Sequence, residues 1–249
     1  MKLVADLHVH TILSGHAYST VQETALAAKE KGLEMIAFTE HGPAMDGFAL
    51  PIYFTNMSVF PHSMSGVKIL RGAEVNVVDD KGRVDLEDRV LESLDFVMAG
   101  LHDVVLPVGD VVTNTDTMVN ALAHPLVDAI SHPCNPYFPI DIPEVVKAAK
   151  EYGKLLEINN NSFYIRPGSH GISVKMAELC AQAGIPVICG SDCHISFDVG
   201  NFDNALTILK EARFPEELLL NTSCEALMAH LNSIRKRETR KAGILQHGG

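Results

Sequence analysis

The chain has 249 residues, of which 47% are hydrophobic and 20% charged, and its formal net charge is −11 at pH 7. These values are typical of one globular domain with a large core and exclude disordered and fibrous classes. The negative charge argues against general nucleic-acid binding, and without an apolar run of roughly 20 residues or a signal-peptide pattern we expect a cytoplasmic protein with no membrane contact.

Short apolar, β-rich runs alternate with amphipathic helical stretches along the chain, as in parallel strands joined by crossover helices. The predicted strands lie near Lys2–Leu7, Met35–Phe38, Lys68–Val75, Asp95–Gly100, Ala129–Ser131, Leu155–Ile158 and Pro186–Cys189. The predicted helices lie at Val21–Lys31, Thr115–Leu122, Ile142–Tyr152, Val174–Ala183, Asn204–Ala212 and Cys224–Ile234. We therefore predict a single α/β barrel over residues 1–234, followed by a basic, frayed tail over residues 235–249.

Local signals support these boundaries. Thr20 and Glu23 have the spacing of a capping box at the start of the first helix. Gly153 and Gly184 follow two later helices at the positions where C-terminal caps belong.

Histidines and acidic residues recur where the predicted strands end. His8 and His10 are two residues apart on the first strand, so we expect both imidazoles on one face, with Asp6 on that face to orient one of them. The other members of the pattern are His16, His41, Glu74, His102, His132, Asp192 and His194. In a barrel of parallel strands the carboxyl ends meet at one mouth, so the pattern predicts a shared site.

A lone histidine is more often a surface or core residue than a metal ligand. Repetition at successive strand ends favours the ligand interpretation, because the alternative requires a coincidence at six strands. Nine candidate ligands exceed the four of a tetrahedral ion and fit two or three ions. Glu74 is the best candidate to bridge two of them, and the ligand types suit zinc, manganese or iron.

Seven motifs resemble those of the polymerase and histidinol phosphatase (PHP) family, in particular its stand-alone bacterial phosphatases. The motifs are D-L-H-V-H-T, T-E-H-G-P, R-G-A-E-V-N, G-L-H-D, S-H-P, E-I-N-N-N-S and G-S-D-C-H. The resemblance covers about residues 1–232. The resemblance implies a distorted barrel of seven β/α units that binds three divalent ions, with zinc expected.

The resemblance also implies which residue binds which ion. The first ion would take His8, His10, Glu74 and Asp192; the second Glu74, His102 and His132; the third His16, His41 and His194. It further suggests a homo-oligomer, with a trimer as one option, although the sequence specifies no interface.

Three divalent ions would bring about six positive charges against two ligand carboxylates, so we expect an anionic, small-molecule phosphate ester as substrate. In this hypothesis Glu74, Asp192 and His194 act as ligands that activate a water, and the resulting hydroxide attacks phosphorus in line. Glu40, Asp103 and a protonated histidine remain candidates for protonating the leaving group.

Three further residues could in principle take part in substrate binding or catalysis. Arg166 lies in a polar loop after the sixth strand and is a candidate phosphate clamp, although an exposed loop arginine is the common alternative. Arg71 is a weaker candidate, because strand parity places it opposite Glu74. Cys193 is best interpreted as a buried residue packed behind its strand rather than as a nucleophile.

Three other functions stay open. An amidohydrolase or deaminase also begins with a pair of histidines, but would leave His16, His41 and His194 without a task. Phosphodiester cleavage is less favoured because no basic groove is evident, and a non-catalytic barrel that binds a metal or ligand would require loss of activity through loop changes.

Overall fold

The computed structural model describes the backbone of residues 1–246 and the side chains of residues 1–235. Of the tail predicted over residues 235–249, the backbone through Gln246 is helical, and residues 247–249 lie outside the described residues. The strands are β1 (Ala5–Val9), β2 (Met35–His41), β3 (Ser63–Met64), β4 (Val67–Asn76), β5 (Phe96–Gly100), β6 (Ala129–Ile130), β7 (Leu155–Asn159) and β8 (Val187–Gly190). They form one sheet in the order β1-β2-β4-β5-β6-β7-β8, with parallel pairing along this path.

The seven predicted strands and the barrel class are confirmed. Main-chain hydrogen bonds just beyond β8 bring the two ends of the sheet together, from Asp192 to His8 at 2.9 Å and from His10 to Cys193 at 3.0 Å. The sequence analysis did not predict β3, which pairs antiparallel with the start of β4 and is only two residues long.

Helices cover the outside of the sheet. They are α1 (Val21–Glu30), α2 (Pro51–Asn56), α3 (Asp88–Leu91), α4 (Val111–Ala123), α5 (Ile142–Tyr152), α6 (Ser162–Ile165), α7 (Ser169–Ala183), α8 (Asp203–Glu211) and α9 (Cys224–Gln246). The capping box of Thr20 and Glu23 is present, and Gly153 and Gly184 end their helices in the left-handed conformation. Among the described residues, no helix combines the length and apolar character needed to cross a membrane.

The apolar core has two layers. The larger lies between the strands and the surrounding helices, and the smaller fills the inside of the barrel. At the end of the barrel where the strands begin, Leu227, Leu231 and Ile234 of α9 join the inner layer. Arg235 adds an ion pair to Asp128, just before β6, at 3.0 Å. Helix α9 thus closes this end of the barrel, and a functional site is expected at the opposite end, where the strands finish.

Candidate metal centre

All nine predicted ligands lie together at the carboxyl ends of the strands. Glu74 touches five of the seven histidines within 3.5 Å, and the two remaining histidines, His16 and His194, contact each other beside that group. Six members are buried, His102 and His194 are half-buried, and His16 is exposed. The structure therefore gathers residues from positions 8 to 194 of the chain into one cluster.

An irregularity in β1 directs His8 and His10 into this cluster. Asp6 and Val9 pair with residues of β2 that are only two positions apart, so β1 has one extra residue between them. Leu7 packs inside the barrel, and beyond the extra residue the side chains of His8 and His10 also face inward. The alternation of the strand is therefore broken between Asp6 and His8.

Asp6 does not orient an imidazole, and that prediction is wrong. Its carboxylate accepts hydrogen bonds from the main-chain N–H groups of Ser191 at 3.0 Å and Gly200 at 2.8 Å. The extra residue in β1 places Asp6 on the other face of the sheet from the two imidazoles. There it fixes the segment that follows β8.

The first group of ligand atoms surrounds one oxygen of Glu74. The Nε2 atoms of His8 and His10 are 3.0 Å apart and lie 3.3 and 3.5 Å from Glu74 Oε2. The same nitrogens lie 3.6 and 3.4 Å from Asp192 Oδ1. Two imidazoles and two carboxylates thus converge on one point.

A second group surrounds the other oxygen of the same carboxylate. Glu74 Oε1 is 2.8 Å from His132 Nε2 and 3.4 Å from His102 Nε2, and these two nitrogens are 3.3 Å apart. The two oxygens of Glu74 therefore face different sets of histidines. This is the arrangement that a bridging carboxylate requires.

The third group lies toward solvent. The Nε2 atoms of His16 and His194 are 2.7 Å apart. The ring of His41 stacks on those of His10 and His16, with centroids 4.3 and 5.3 Å away. Its Nδ1 atom is 2.9 Å from Glu74 Oε2, so His41 connects the third group with the other two.

Five of the seven histidines have a hydrogen-bond acceptor at Nδ1. This leaves the lone pair of Nε2 free to point into the cluster, as is typical of imidazoles that bind metals. The acceptors are the carboxylate of Glu157 for His8 (2.8 Å), Ser14 Oγ for His10 (3.0 Å), the Ser14 carbonyl for His16 (2.7 Å), Asn76 Oδ1 for His102 (2.7 Å) and the Asp192 carbonyl for His194 (3.0 Å).

Divalent ions fit these residues. Lone pairs of neutral Nε2 atoms that face each other at about 3 Å repel, and a cation between them removes the repulsion. Three buried polar atoms of the cluster, Glu74 Oε2, His41 Nδ1 and His132 Nδ1, also form no hydrogen bond within the described part of the chain; the first two lie 2.9 Å apart but are not aligned to form one. Imidazole nitrogens together with carboxylate oxygens are the donors that zinc, manganese and iron accept.

The charge states of four members of the cluster favour the same interpretation. Burial opposes ionisation of Glu74 and Asp192, but the surrounding imidazoles outweigh it and hold the pKa of both carboxyls well below the ordinary range. Burial and the neighbouring Arg166 lower the pKa of His132 to about 4. Burial and adjacent imidazoles also lower the pKa of His10. Charged carboxylates and neutral imidazoles are the protonation states that bind metal ions.

Arg166 lies beside the cluster. Its Nη1 donates to Ser162 Oγ at 3.1 Å and to Asp192 Oδ2 at 3.4 Å. The side chain is half-buried, with 13% of its surface exposed. Arg166 is thus at the rim, where a guanidinium can reach both a cluster carboxylate and a bound anion.

Arg71, Cys193 and Glu40 lie outside the cluster. Arg71 pairs with Asp95 at 2.7 Å, and Cys193 is buried in the outer core, as expected for both. Glu40 is fully buried and accepts hydrogen bonds from Thr11 and Ser14, so it orients His10 through Ser14 rather than facing the mouth.

Two residues that contact the ligands were missed in the sequence. Asn76 lies two positions after Glu74 on the same face of β4, and that spacing was an available signal. Glu157 interrupts the apolar run of β7, where a lone acidic residue in a buried strand also signals a partner. Each accepts a hydrogen bond from a ligand imidazole.

A cleft of about 530 Å³ adjoins the cluster at Asp192 and His194. Tyr18, Asn161 and Tyr164 also line it, and the side chains of both tyrosines are exposed at the surface. Its size is suited to a small organic molecule.

Known proteins resemble this chain in sequence over most of its length. The model of the PHP domain family matches residues 6–120. A probable phosphatase of Acetivibrio thermocellus is 46% identical over 97% of this chain and 100% of that protein. A probable phosphatase of Caldanaerobacter subterraneus subsp. tengcongensis is 49% identical over 95% of this chain and 94% of that protein.

Solved structures share the fold. A histidinol phosphate phosphatase of Lactococcus lactis, determined with zinc, L-histidinol and phosphate, superposes with a TM-score of 0.57 at 19% identity, over 85% of this chain and 94% of that one. A chain of archaeal ribonuclease P determined with mature tRNA gives a TM-score of 0.58 at 15% identity, over 94% and 90% of the two chains. At these identities the likeness concerns the fold alone.

Proposed function

Because the chain belongs to the PHP domain family, we propose that it is a metal-dependent phosphatase that hydrolyses phosphate monoesters at a centre of three divalent ions. The relatives named probable phosphatases match over nearly the full length of both chains, which supports the phosphatase class. The observation that carries the proposal is Glu74, whose two oxygens face separate sets of histidines: Oε2 faces His8, His10 and His41, and Oε1 faces His102 and His132.

The grouping of atoms supports the proposed ligand sets. His8, His10, Asp192 and Glu74 Oε2 would hold one ion, and Glu74 Oε1, His102 and His132 a second. His16, His41 and His194 would hold the third, and an amidohydrolase with one or two ions would leave these three histidines unused. When bound, divalent ions at these residues would supply the chemistry that phosphate hydrolysis needs, namely a lowered pKa of water and stabilisation of negative charge on phosphoryl oxygens.

The balance of charge favours an anionic substrate. Three divalent ions bring about six positive charges, and Glu74, Asp192 and the adjacent Glu157 offset about three of them. Arg166 adds one more positive charge at the rim. A phosphate monoester, which carries nearly two negative charges, compensates this excess far better than an amide or a sugar does.

The protein residues position the substrate. Arg166 would bind phosphoryl oxygens through its planar guanidinium. The cleft lined by Tyr18, Asn161 and Tyr164 would hold the alcohol portion of a small ester. Glu40 is unsuited to protonate the leaving group because it is buried, whereas Asp103 is exposed beside His102.

The test is turnover of an aryl phosphate by the full chain after loading with zinc, manganese or iron, in parallel with a bis-aryl phosphate and a panel of amides and lactones. We expect the monoester to be preferred and Glu74→Gln to lower kcat by more than the roughly 10- to 100-fold typical of residues that only orient ligands. The matched control is Glu151→Gln on the exposed face of α5. A metal-loaded protein that hydrolyses amides or lactones but no phosphate ester would disprove the proposal.

A further inference from the structure

Glu157 is a buried acid that touches several parts of the candidate metal centre. It lies on β7 with 1% of its surface exposed. Its Oε1 atom is 2.8 Å from His8 Nδ1, and its Oε2 atom accepts hydrogen bonds from the main-chain N–H of His132 at 2.6 Å and from Asn159 Nδ2 at 3.2 Å. One carboxylate thus contacts ligands from both the first and the second group.

The bond to His8 fixes the orientation of that imidazole. An ionised carboxylate can only accept hydrogen bonds, so Nδ1 of His8 carries the proton. The other ring nitrogen, Nε2, then presents its lone pair 3.3 Å from Glu74 Oε2. Glu157 therefore sets both the tautomer and the direction of a ligand in the first group.

The bond to His132 fixes a strained backbone. His132 has a φ of 32°, which is uncommon for a residue other than glycine. Its N–H is held by Glu157 Oε2, and in this conformation the ring reaches Glu74 Oε1 at 2.8 Å. Glu157 therefore also determines where a ligand of the second group lies.

Asn159 extends the contact to a third ligand. Its side-chain N–H₂ group donates to Glu157 Oε2 and to Asp192 Oδ2, each at 3.2 Å. Asp192 has a φ of 55° and its Oδ1 atom faces the first group. The conformations of His8, His132 and Asp192 are consequently linked through one buried carboxylate.

The neighbouring strand leaves room for this carboxylate at one glycine. A Cβ atom at Gly190 of β8 would lie 2.0 Å from Glu157 Oε1 and 2.4 Å from His8 Cβ. Any larger residue there would displace one of the two side chains. The shape of the barrel interior is thus fitted to the pair of Glu157 and His8.

We infer that Glu157 is a positioning residue that couples the first and second ions of the proposed centre, so that loss of its contacts weakens the binding of both of these ions and affects the third least. The inference rests on the metal centre of the proposed function but not on phosphatase activity. Glu157 contacts His8 of the first group and His132 of the second, and among the described residues it forms no hydrogen bond with His16, His41 or His194 of the third.

Zinc binding by Glu157→Gln tests this inference. The amide keeps the shape of the side chain, but its N–H₂ group must face a donor, either the Nδ1–H of His8 or the N–H of His132. We expect the affinity for two of the three zinc ions to fall roughly 10- to 100-fold, with the third unchanged. Affinities are measured by competition with a chromophoric chelator, and stoichiometry by elemental analysis after dialysis at fixed free zinc.

Asp128→Asn is the matched control. It also neutralises a buried carboxylate, but at the opposite end of the barrel, where Asp128 binds Val97 N–H and Arg235. We expect this variant to keep wild-type zinc affinities. Should Glu157→Gln fail to fold, Glu157→Asp replaces it, because the shorter acid keeps the charge but cannot reach both donors.

Two outcomes would overturn the inference: wild-type affinity for all three ions in the Glu157 variant, or an equal loss at all three sites. The second outcome would indicate a general loss of structure rather than positioning. A wild-type protein that binds three zinc ions but hydrolyses no phosphate ester would remove the proposed function and leave the role of Glu157 intact.

Discussion

Arg166 is positioned between a protein carboxylate and the open mouth of the barrel. Its Nη1 reaches Asp192 at 3.4 Å, a long contact for a charged pair, and Ser162 holds the same nitrogen at 3.1 Å. The guanidinium has five donors, so others remain for an incoming anion.

Replacement of Arg166 is expected to weaken substrate binding. Arg166→Ala should raise KM for an aryl phosphate about tenfold or more, because a hydrogen bond to a charged group contributes about 1.5–3 kcal/mol. Arg166→Lys should give an intermediate KM, since it keeps the charge but loses the planar fork. Steady-state kinetics and the inhibition constant of inorganic phosphate provide the measurements. Arg89→Ala, at an exposed arginine that pairs with Glu87, is the control and should leave KM unchanged. An unchanged KM in both Arg166→Ala and Arg166→Lys would contradict the role of Arg166 in phosphate binding.

The residues of the candidate centre were predictable from sequence to different degrees. All nine candidates were found because each lies near the end of a predicted strand or on the loop after it, and parallel strands end at one mouth. Asp6 was misassigned because alternation was assumed to continue through β1, and one extra residue in a strand leaves no trace in composition. Glu157 and Asn76 were missed because their partners lie on other strands, at distances only the folded chain defines.

Among the elements, helix α9 has the clearest structural task. Its residues Leu227, Leu231 and Ile234 recur at helical spacing and pack into the inner core, and Arg235 pairs with Asp128. The periodicity of the sequence predicted this helix but not its role in closing the barrel. A periodic apolar pattern shows that one face of a helix is buried, but not which part of the protein that face packs against. Short elements such as β3 and α2 were missed, since two to six residues carry too little pattern.

Truncation of the apolar face of α9 is expected to destabilise the whole chain. Leu231 is 1% exposed, so Leu231→Ala should lower the free energy of unfolding by about 2–5 kcal/mol through lost burial and the remaining cavity. Urea denaturation measures the change. Asn232→Ala, on the exposed side of the same helix, should alter it by no more than about 0.5 kcal/mol. Equal effects of the two substitutions would show that α9 does not act as a core element.

At the scale of the whole molecule, folding gathers imidazole nitrogens that face one another, together with buried carboxylates, at one end of the barrel. The sheet order and the closure beyond β8 bring residues 8 and 194 to the same mouth. Without cations this arrangement costs free energy, because buried carboxylates and facing imidazole nitrogens are left uncompensated. Stability should therefore depend on bound metal.

Metal removal is expected to lower the melting temperature. A site filled at a hundred times its Kd stabilises the folded state by about 2.7 kcal/mol, which corresponds to roughly 5–10 °C for a chain of this size. Thermal unfolding should be followed with a chelator, and again after zinc is restored. Glu74→Gln should show a smaller difference between the two conditions. The same melting temperature with and without chelator would count against the proposed centre.

The extra residue in β1 divides a five-residue strand into two parts with separate requirements. Ala5 and Leu7 pack inside the barrel, where the size and shape of a side chain decide whether it is tolerated. His8 and His10, which follow the extra residue, are instead constrained by their role in the candidate metal centre at the mouth of the barrel. If the side chains alternated regularly from Ala5 onward, Leu7 would face the inside of the barrel but His8 and His10 would face outward, away from the pocket. A single backbone irregularity therefore separates what this strand does for folding from what it does for reactivity.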